Sequence, residues 1–350
     1  MKKNIFIYLF LLFSAVSCFK KAPDVFKAQE NEYAVGFSIE KENNQWDISC
    51  GRKKVSFPAD FEVKRCIITG TSASAYIDAL GKFTAIVGVC SPDYFYNPKI
   101  SEGIKNHTIE DVGNDAFLNF EKILALKPDV IITTPNANYE KILNQLSKTG
   151  IKIVYIEEYN ELHPLGKTEY LKLFGVLFRE TPKADSLYNS IKTRYLSLRE
   201  KTKDIQKKPT VFTNIMYGDA WYMAGGKSFI AALFRDAGAD YLWKDNPNTG
   251  TTPLGFEEVF SRAQTADFWI GASNFSSKKE MLNSNSHYEW FDAYKNDKIY
   301  TMNGRENAKK ANDYYESGTI YADKSLADVI KILYPQLLPD YHLTYLRKLE

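Results

Sequence analysis

Four short apolar runs constrain this chain more than any other feature: CIITG (66–70), AIVGV (85–89), VIITT (130–134) and IVYI (153–156). None alternates apolar with polar residues, so each reads as a strand covered on both faces. Helical periodicity fills the intervals, and strands joined by helical crossovers make a mostly parallel sheet. That sheet predicts a first lobe over residues 34–162, opened by small strands or a hairpin where AVGFSI and KKVSF alternate.

A second set of runs, TVFTNIM, FWIGA and IYTM, alternates with the helical SFIAALFRDAGA and SLADVIKILYP, which predicts a second lobe over 209–350. The stretch FEKILALKPDVIITT, from Phe120, returns as FEEVFSRAQTADFWIGA from Phe256: a helix, a break and a buried strand each time. The repetition is weak in identity and stronger in the order of elements. Residues 163–208 carry no strand signal. Thr181 as N-cap and Pro182 in the first turn start a helix, and Ala184, Leu187, Tyr188, Ile191, Tyr195 and Leu198 recur at helical spacing. Extended to Ile205, it would be roughly 34 Å long at 1.5 Å per residue. The expected fold class is α/β: two Rossmann-like lobes with mostly parallel sheets, joined by a single long helix. With 350 residues, 44% apolar and 25% charged, the chain has material for two cores.

The opening MKKNIFIYLFLLFSAVSC has two lysines, an apolar run from Ile5 to Phe13 and small residues before Cys18. The run is about half the ~20 residues that span a membrane, so residues 1–17 read as an export signal. Ala15-Val16-Ser17-Cys18 resembles a lipobox, which makes Cys18 the expected lipidation site. Residues 18–33 become a lipidated tether, and the body becomes a periplasmic protein anchored to the envelope membrane. Loss of Lys2 and Lys3 leaves 43 basic against the 43 acidic residues, and that balance argues against nucleic acid as a partner. Cys50, Cys66 and Cys90 have no zinc-site spacing; either Cys50 pairs with Cys66 or all three are buried thiols.

The motifs of a nucleophile elbow, a phosphate loop, a dinucleotide fingerprint and a His-Glu-Xaa-Xaa-His metal site are all missing, and the four histidines are scattered. Nothing here proposes an enzyme, a catalytic residue, a metal site or a resident cofactor. Aromatic residues, 14% of the chain, recur instead after the predicted strands: Tyr76, Tyr94, Tyr96, Tyr139, Tyr159, Tyr217, Trp221, Tyr222, Tyr314 and Tyr315. The carboxyl ends of parallel strands face the ligand crevice of an α/β lobe, so these rings are candidates to line one.

An ordered set of segments carries a family resemblance: ITGTSASAYIDALG (68–81), IVGV (86–89), DVG (111–113), FEKILALKPDVII (120–132), YEKILNQLSKTGIKIVYI (139–156), GGKSFIAALFRDAGADYLW (225–243) and DYYESGTIYADKSLADVIKILYP (313–335). Together they resemble the substrate-binding proteins of ABC importers for iron complexes and cobalamin. The resemblance implies a monomer that captures an iron–siderophore complex or a corrinoid between its lobes and delivers it to a permease dimer with ATPase subunits. Where many relatives carry a histidine, this chain has Ser72-Ala73-Ser74, and it offers no match for the His or Tyr that holds haem in some members. The expected ligand contacts are Ser74, Tyr76, Tyr94, Asn136, Asn138, Glu158 and Tyr159 from the first lobe. From the second they are Tyr217, Trp221, Thr251, Asn274 and Arg305. By the same resemblance, Glu140 and Asp240 are the acids that dock on the transporter. The competing expectation is an envelope lipoprotein that serves an outer-membrane receptor as an interaction module.

Overall fold

The computed structural model describes residues 30–350; Cys18, the export signal and most of the tether lie outside the described residues. The body opens with an antiparallel sheet of β1 (Phe37–Glu42), β2 (Gln45–Cys50) and β3 (Lys53–Pro58). In the first lobe follow β4 (Cys66–Ile68), α1 (Thr71–Ala79), β5 (Ile86–Val89), α2 (Pro98–Lys105) and β6 (Glu110–Asp111). A small hairpin, β7 (Gly113–Asn114) with β8 (Phe117–Leu118), leads to α3 (Phe120–Leu126), β9 (Val130–Thr133), α4 (Glu140–Ser147) and β10 (Lys152–Tyr155). The sheet order is β10-β9-β4-β5-β6, all parallel. Its central strands are buried at every position, as runs without alternation require.

Two helices connect the lobes: α5 (Pro164–Leu177) and α6 (Thr181–Glu200). The long helix starts at Thr181 itself and gives way to a turn after Glu200, short of Ile205. The α5–α6 pair meets closely at its turn. A Cβ on Gly175 would stand 2.6 Å from that of Ala184, so only glycine lets the two helices approach there.

The second lobe has β11 (Thr210–Phe212), β12 (Met216–Tyr217), β13 (Ala220–Ala224), α7 (Phe229–Asp236), β14 (Asp240–Tyr241), β15 (Thr251–Leu254), α8 (Phe256–Ala263) and β16 (Phe268–Ile270). It closes with α9 (Lys278–Ser284), α10 (Asp292–Lys295), β17 (Ile299–Thr301), α11 (Ala322–Leu333) and β18 (Arg347–Lys348). Its main sheet runs β14-β11-β16-β17-β18, the last strand antiparallel, while β12, β13 and β15 form a side sheet. Both lobes thus set their second strand, β5 or β14, on one side of the first, and the pair β9–β10 or β16–β17 on the other; the first lobe adds β6 outside β5. The repeated units α3–β9 and α8–β16 occupy equivalent places, so the weak sequence echo marks a real repetition of topology.

Buried carboxylates hold stretches of backbone to this frame. Glu169, on α5, accepts the N–H groups of Glu32, Tyr33 and Ala34 at 2.9 Å each, and Glu161 accepts those of Val35 and Gly36. Glu32 and Tyr33, at the end of the expected tether, are therefore fixed to the body. Asp328, on α11 and fully buried, accepts from the N–H groups of Thr344, Tyr345 and Leu346 and from the Tyr341 hydroxyl. Burial pushes its pKa up, against the pull of those donors. Cys50, Cys66 and Cys90 are free, buried thiols, so the Cys50–Cys66 alternative does not hold.

Replacing Asp328 with alanine strands three backbone donors in the core, and is expected to destabilise the protein by roughly 3 kcal/mol or more. Urea denaturation of the variant against wild type measures this; a loss under about 0.5 kcal/mol would mean water satisfies those groups.

Candidate ligand crevice

The carboxyl ends of both parallel sheets face a crevice between the lobes. Two adjoining cavities, of about 250 and 230 Å³, share Phe229, Leu233, Tyr314, Tyr315 and Ser325 in their walls. The first adds Glu158, Tyr159 and Lys167; the second adds Thr213, Asn214, Gly271 and Met302, from the connections that leave β11, β16 and β17. Two exposed rings, Tyr159 and Tyr315, line this space, while Tyr94 and Phe117 in the first lobe and Tyr217 and Tyr222 in the second are exposed outside both cavities. Tyr94, Tyr159 and Tyr315 sit on connections that leave β5, β10 and β17, whereas Phe117, Tyr217 and Tyr222 lie within β8, β12 and β13. Exposed apolar surface costs solvation, and the rings that line the cavities mark a contact surface.

The expected contacts divide. Glu158 and Tyr159 line the first cavity, Tyr94 and Tyr217 are exposed but line neither cavity, and Thr251 is exposed on β15. Asn136 and Asn138 donate to the Asp115 carbonyl at 3.1 and 3.0 Å, and so brace the turn of the β7–β8 hairpin. Asn274 is exposed and accepts from Asn303 and Asn312.

Two rings are not in the crevice. Tyr76 is fully buried, stacked 4.7 Å from Phe174 with its hydroxyl on the Lys167 carbonyl at 2.7 Å. Trp221 is fully buried as well, against Trp269 and Phe291, and its indole donates to the Thr213 carbonyl at 2.9 Å. Helix α1 and strand β13 turn these side chains inward, and sequence position alone does not say which face a residue takes. Trp221 nonetheless lies one layer beneath the crevice, because Thr213 is a wall residue.

Ser74 and Arg305 each make a contact across the lobes, though not with one another. The Glu316 carboxylate, from the second lobe, accepts from the Ser74 hydroxyl at 2.8 Å and from the N–H groups of Tyr96 and Asn97 at 2.7 and 3.2 Å. Arg305 lies over the Tyr96 ring, with Nε 2.9 Å from Asp313. Asn307 donates to the Phe95 carbonyl, and Lys309 pairs with Asp93. Residues 93–97 of one lobe are thus clasped by 305–316 of the other. Sequence reading missed Glu316 because a buried acid and a solvated one are spelled the same way. It also missed Lys167, the one residue of α5 that is only partly buried.

The candidate docking acids do not sit in equivalent places. Glu140 is exposed at the start of α4, beyond the carboxyl end of β9, whereas Asp240 opens β14 at the opposite edge of its sheet and pairs with Lys244 at 2.5 Å. Among the described residues no group of three or more His, Cys, Asp or Glu could hold a metal, and no helix is long and apolar enough to cross a membrane.

The fold is two α/β lobes on a paired-helix connection with a crevice between them. The periplasmic binding protein family model matches residues 67–306, and the chain belongs to that family of solute-binding, non-enzymatic proteins. It is 26% identical over 281 residues to an uncharacterized lipoprotein of Methanocaldococcus jannaschii, covering 78% of this chain and 65% of that relative. An uncharacterized ABC transporter substrate-binding lipoprotein of Bacillus subtilis is 26% identical over 239 residues, 66% of this chain and 69% of the relative. Among solved structures, a possible iron-binding (periplasmic solute-binding) protein of Staphylococcus epidermidis superposes with a TM-score of 0.61 at 22% identity, covering 78% of this chain and 99% of the other.

Burial raises the pKa of Glu316 to about 7, against its three donors. In the unfolded chain it titrates near the ordinary 4.5, so between about 4.5 and 7 the folded state holds a proton that the unfolded state has released. Its contribution is therefore most favourable below 4.5 and is lost as the pH rises through 7. Glu316→Gln should flatten that part of the stability–pH curve, by roughly 3 kcal/mol at most. Thermal melts of both proteins from pH 4.5 to 8 test this; parallel curves would place Glu316 in water.

Proposed function

We propose that this protein is the lipid-anchored substrate-binding component of an ABC importer, and that it captures an iron–siderophore complex or a corrinoid in the crevice between its lobes. The observation that carries the reading is the crevice between the lobes, whose walls hold the exposed rings of Tyr159 and Tyr315 beside Phe229 and Tyr314. Aromatic faces give broad contact at low entropic cost, and tyrosine hydroxyls fix the orientation of a bulky, partly polar ligand. Membership of the periplasmic binding protein family supports capture without chemistry. The two cavities together fall within the usual ~300–1,000 Å³ of ligand pockets. A larger complex would rest its remaining surface on the exposed rings. Iron would arrive already chelated, its ligands supplied by the cargo.

In this reading Cys18 anchors the protein to the envelope, and acids on the two lobes set its register on the permease. The first is Glu140. Its topological counterpart in the second lobe is the first turn of α9, where Glu280 is exposed, and not Asp240. Glu140→Ala and Glu280→Ala together should abolish transport-complex capture by the purified permease, with Asp240→Ala near wild type; the reverse pattern would restore Asp240 to the role.

Titration with ferric siderophores and cyanocobalamin, followed by tryptophan quenching, tests the capture itself. Trp221 and Trp269 donate to the carbonyls of Thr213 and Asn214 in the crevice wall, so a bound chromophore lies within quenching range of both. Saturable quenching is expected, and Tyr159→Ala or Tyr315→Ala should each weaken it roughly tenfold without changing the melting temperature. No quenching from folded protein across the panel would overturn the carrier reading.

A further inference from the structure

The cations that border the space between the lobes differ in how their charge is met. Arg305 is compensated within the protein by Asp313. Lys167 makes no ion pair and feels Glu158 and Glu161 only at longer range: no carboxylate among the described residues lies within 4.0 Å of its Nζ, which rests 3.5 Å from the centre of the Phe229 ring. The acid that shares its cavity, Glu158, accepts from the Ser72 hydroxyl at 2.5 Å through Oε1, while its Oε2 is buried without a hydrogen-bond partner among the described residues.

Lys167 is also held in place. It belongs to the first turn of α5, its carbonyl accepts the Tyr76 hydroxyl at 2.7 Å, and every other residue of that helix is buried. Across the cavity α7 begins at Phe229, its positive end turned to the same region. The Ser228 cap takes the N–H of Ala231, which leaves the N–H groups of Phe229 and Ile230 without an acceptor among the described residues. An ammonium has three donors and no acceptor capacity, so a ring face satisfies only part of it.

We propose that Lys167 is a specificity-determining residue that selects ligands carrying an anionic oxygen, taken onto its ammonium above Phe229. The inference rests on the carrier reading above and names what the ligand must bring to this end of the crevice. A phosphodiester on a corrinoid and a catecholate on a ferric siderophore both supply that oxygen. A neutral amide oxygen accepts a hydrogen bond but leaves the charge unmet, and charge-assisted bonds are about twice as strong. Burial has already lowered the Lys167 pKa to about 8, with Glu158 and Glu161 holding it up. The ammonium still prevails at neutral pH, and a bound anion would raise its pKa again.

The test uses the mature protein and two pairs of probes: cyanocobalamin against dicyanocobinamide, which lacks the phosphodiester, and a ferric tris-catecholate against a ferric tris-hydroxamate. Wild type should bind the anionic member of one pair about 30-fold or more tighter, and the pair that responds identifies the source of the oxygen. In Lys167→Met, with an unchanged melting temperature, that preference should shrink to about threefold or less, while Lys167→Arg keeps it. Affinity for the anionic probe should fall as the pH rises above about 8 in wild type and stay level in Lys167→Arg. Binding with no preference in wild type, or a preference that survives in Lys167→Met, overturns the role of Lys167 and leaves the carrier reading standing. No binding of any probe removes the carrier reading, and this inference with it.

Discussion

Two helices are rooted in both cores at once, and everything between the lobes depends on them. At its start α5 places Leu165 in the second lobe's core; from Tyr170 onward it belongs to the first. In α6 the order is reversed, with Ala184, Tyr188 and Ile191 in the first core and Tyr195 in the second. A polar lock joins them where they enter the second lobe. His163 caps α5 through Nδ1, so Nε2 carries the proton and donates to Asp236, which also accepts from Tyr195. Burial works to raise the Asp236 pKa, yet these two partners outweigh it and leave it lowered. With both ends packed, the lobes can move only as far as the two helices flex.

The same device recurs wherever distant segments must be held: a buried carboxylate facing a run of backbone N–H groups. Glu169 and Glu161 fix the start of the body, Glu316 clasps the lobes, and Asp328 holds the segment beside β18. Burying a carboxylate is unfavourable unless several donors meet it, so each site tolerates one arrangement and rejects its neighbours. Glu316 alone of these joins one lobe to the other beside the crevice. Its raised pKa shows that desolvation there exceeds what Ser74, Tyr96 and Asn97 return. The clasp is an interaction held near balance, unlike the paired helices.

What was legible in the sequence was whatever depends on pattern. Three of the unalternating runs became the central strands, whereas IVYI became β10, an edge strand only partly buried, and the echo of Phe120 at Phe256 became a matched pair of helix–strand units. The small sheet before the first lobe followed from alternation alone. The site was legible only in part. Glu158 and Tyr159 line the crevice because the turn after a parallel strand has nowhere else to go. Tyr76 and Trp221 failed because proximity to a strand end does not decide whether a ring points up into the crevice or down into the core. Lys167 and Glu316 carried no signal except context. A lysine inside a helix whose other positions are all buried is unusual, but that burial comes from tertiary packing on both lobes, which no local pattern records.

The edge of the second lobe has a bearing on how the chain assembles. Strand β18 completes that lobe's sheet against β17, while Asp328 fixes the residues just before it and the Lys278 N–H reaches the Glu350 carbonyl. The first strand of the same sheet, β11, is made about 140 residues earlier. During vectorial synthesis or export the first lobe emerges with all five strands of its sheet in hand, and the second must wait, its β17 edge open, until residues 341–350 arrive. The two lobes repeat one topology but not one folding schedule, and the later lobe is the one that leaves a strand edge exposed to other chains in the interval.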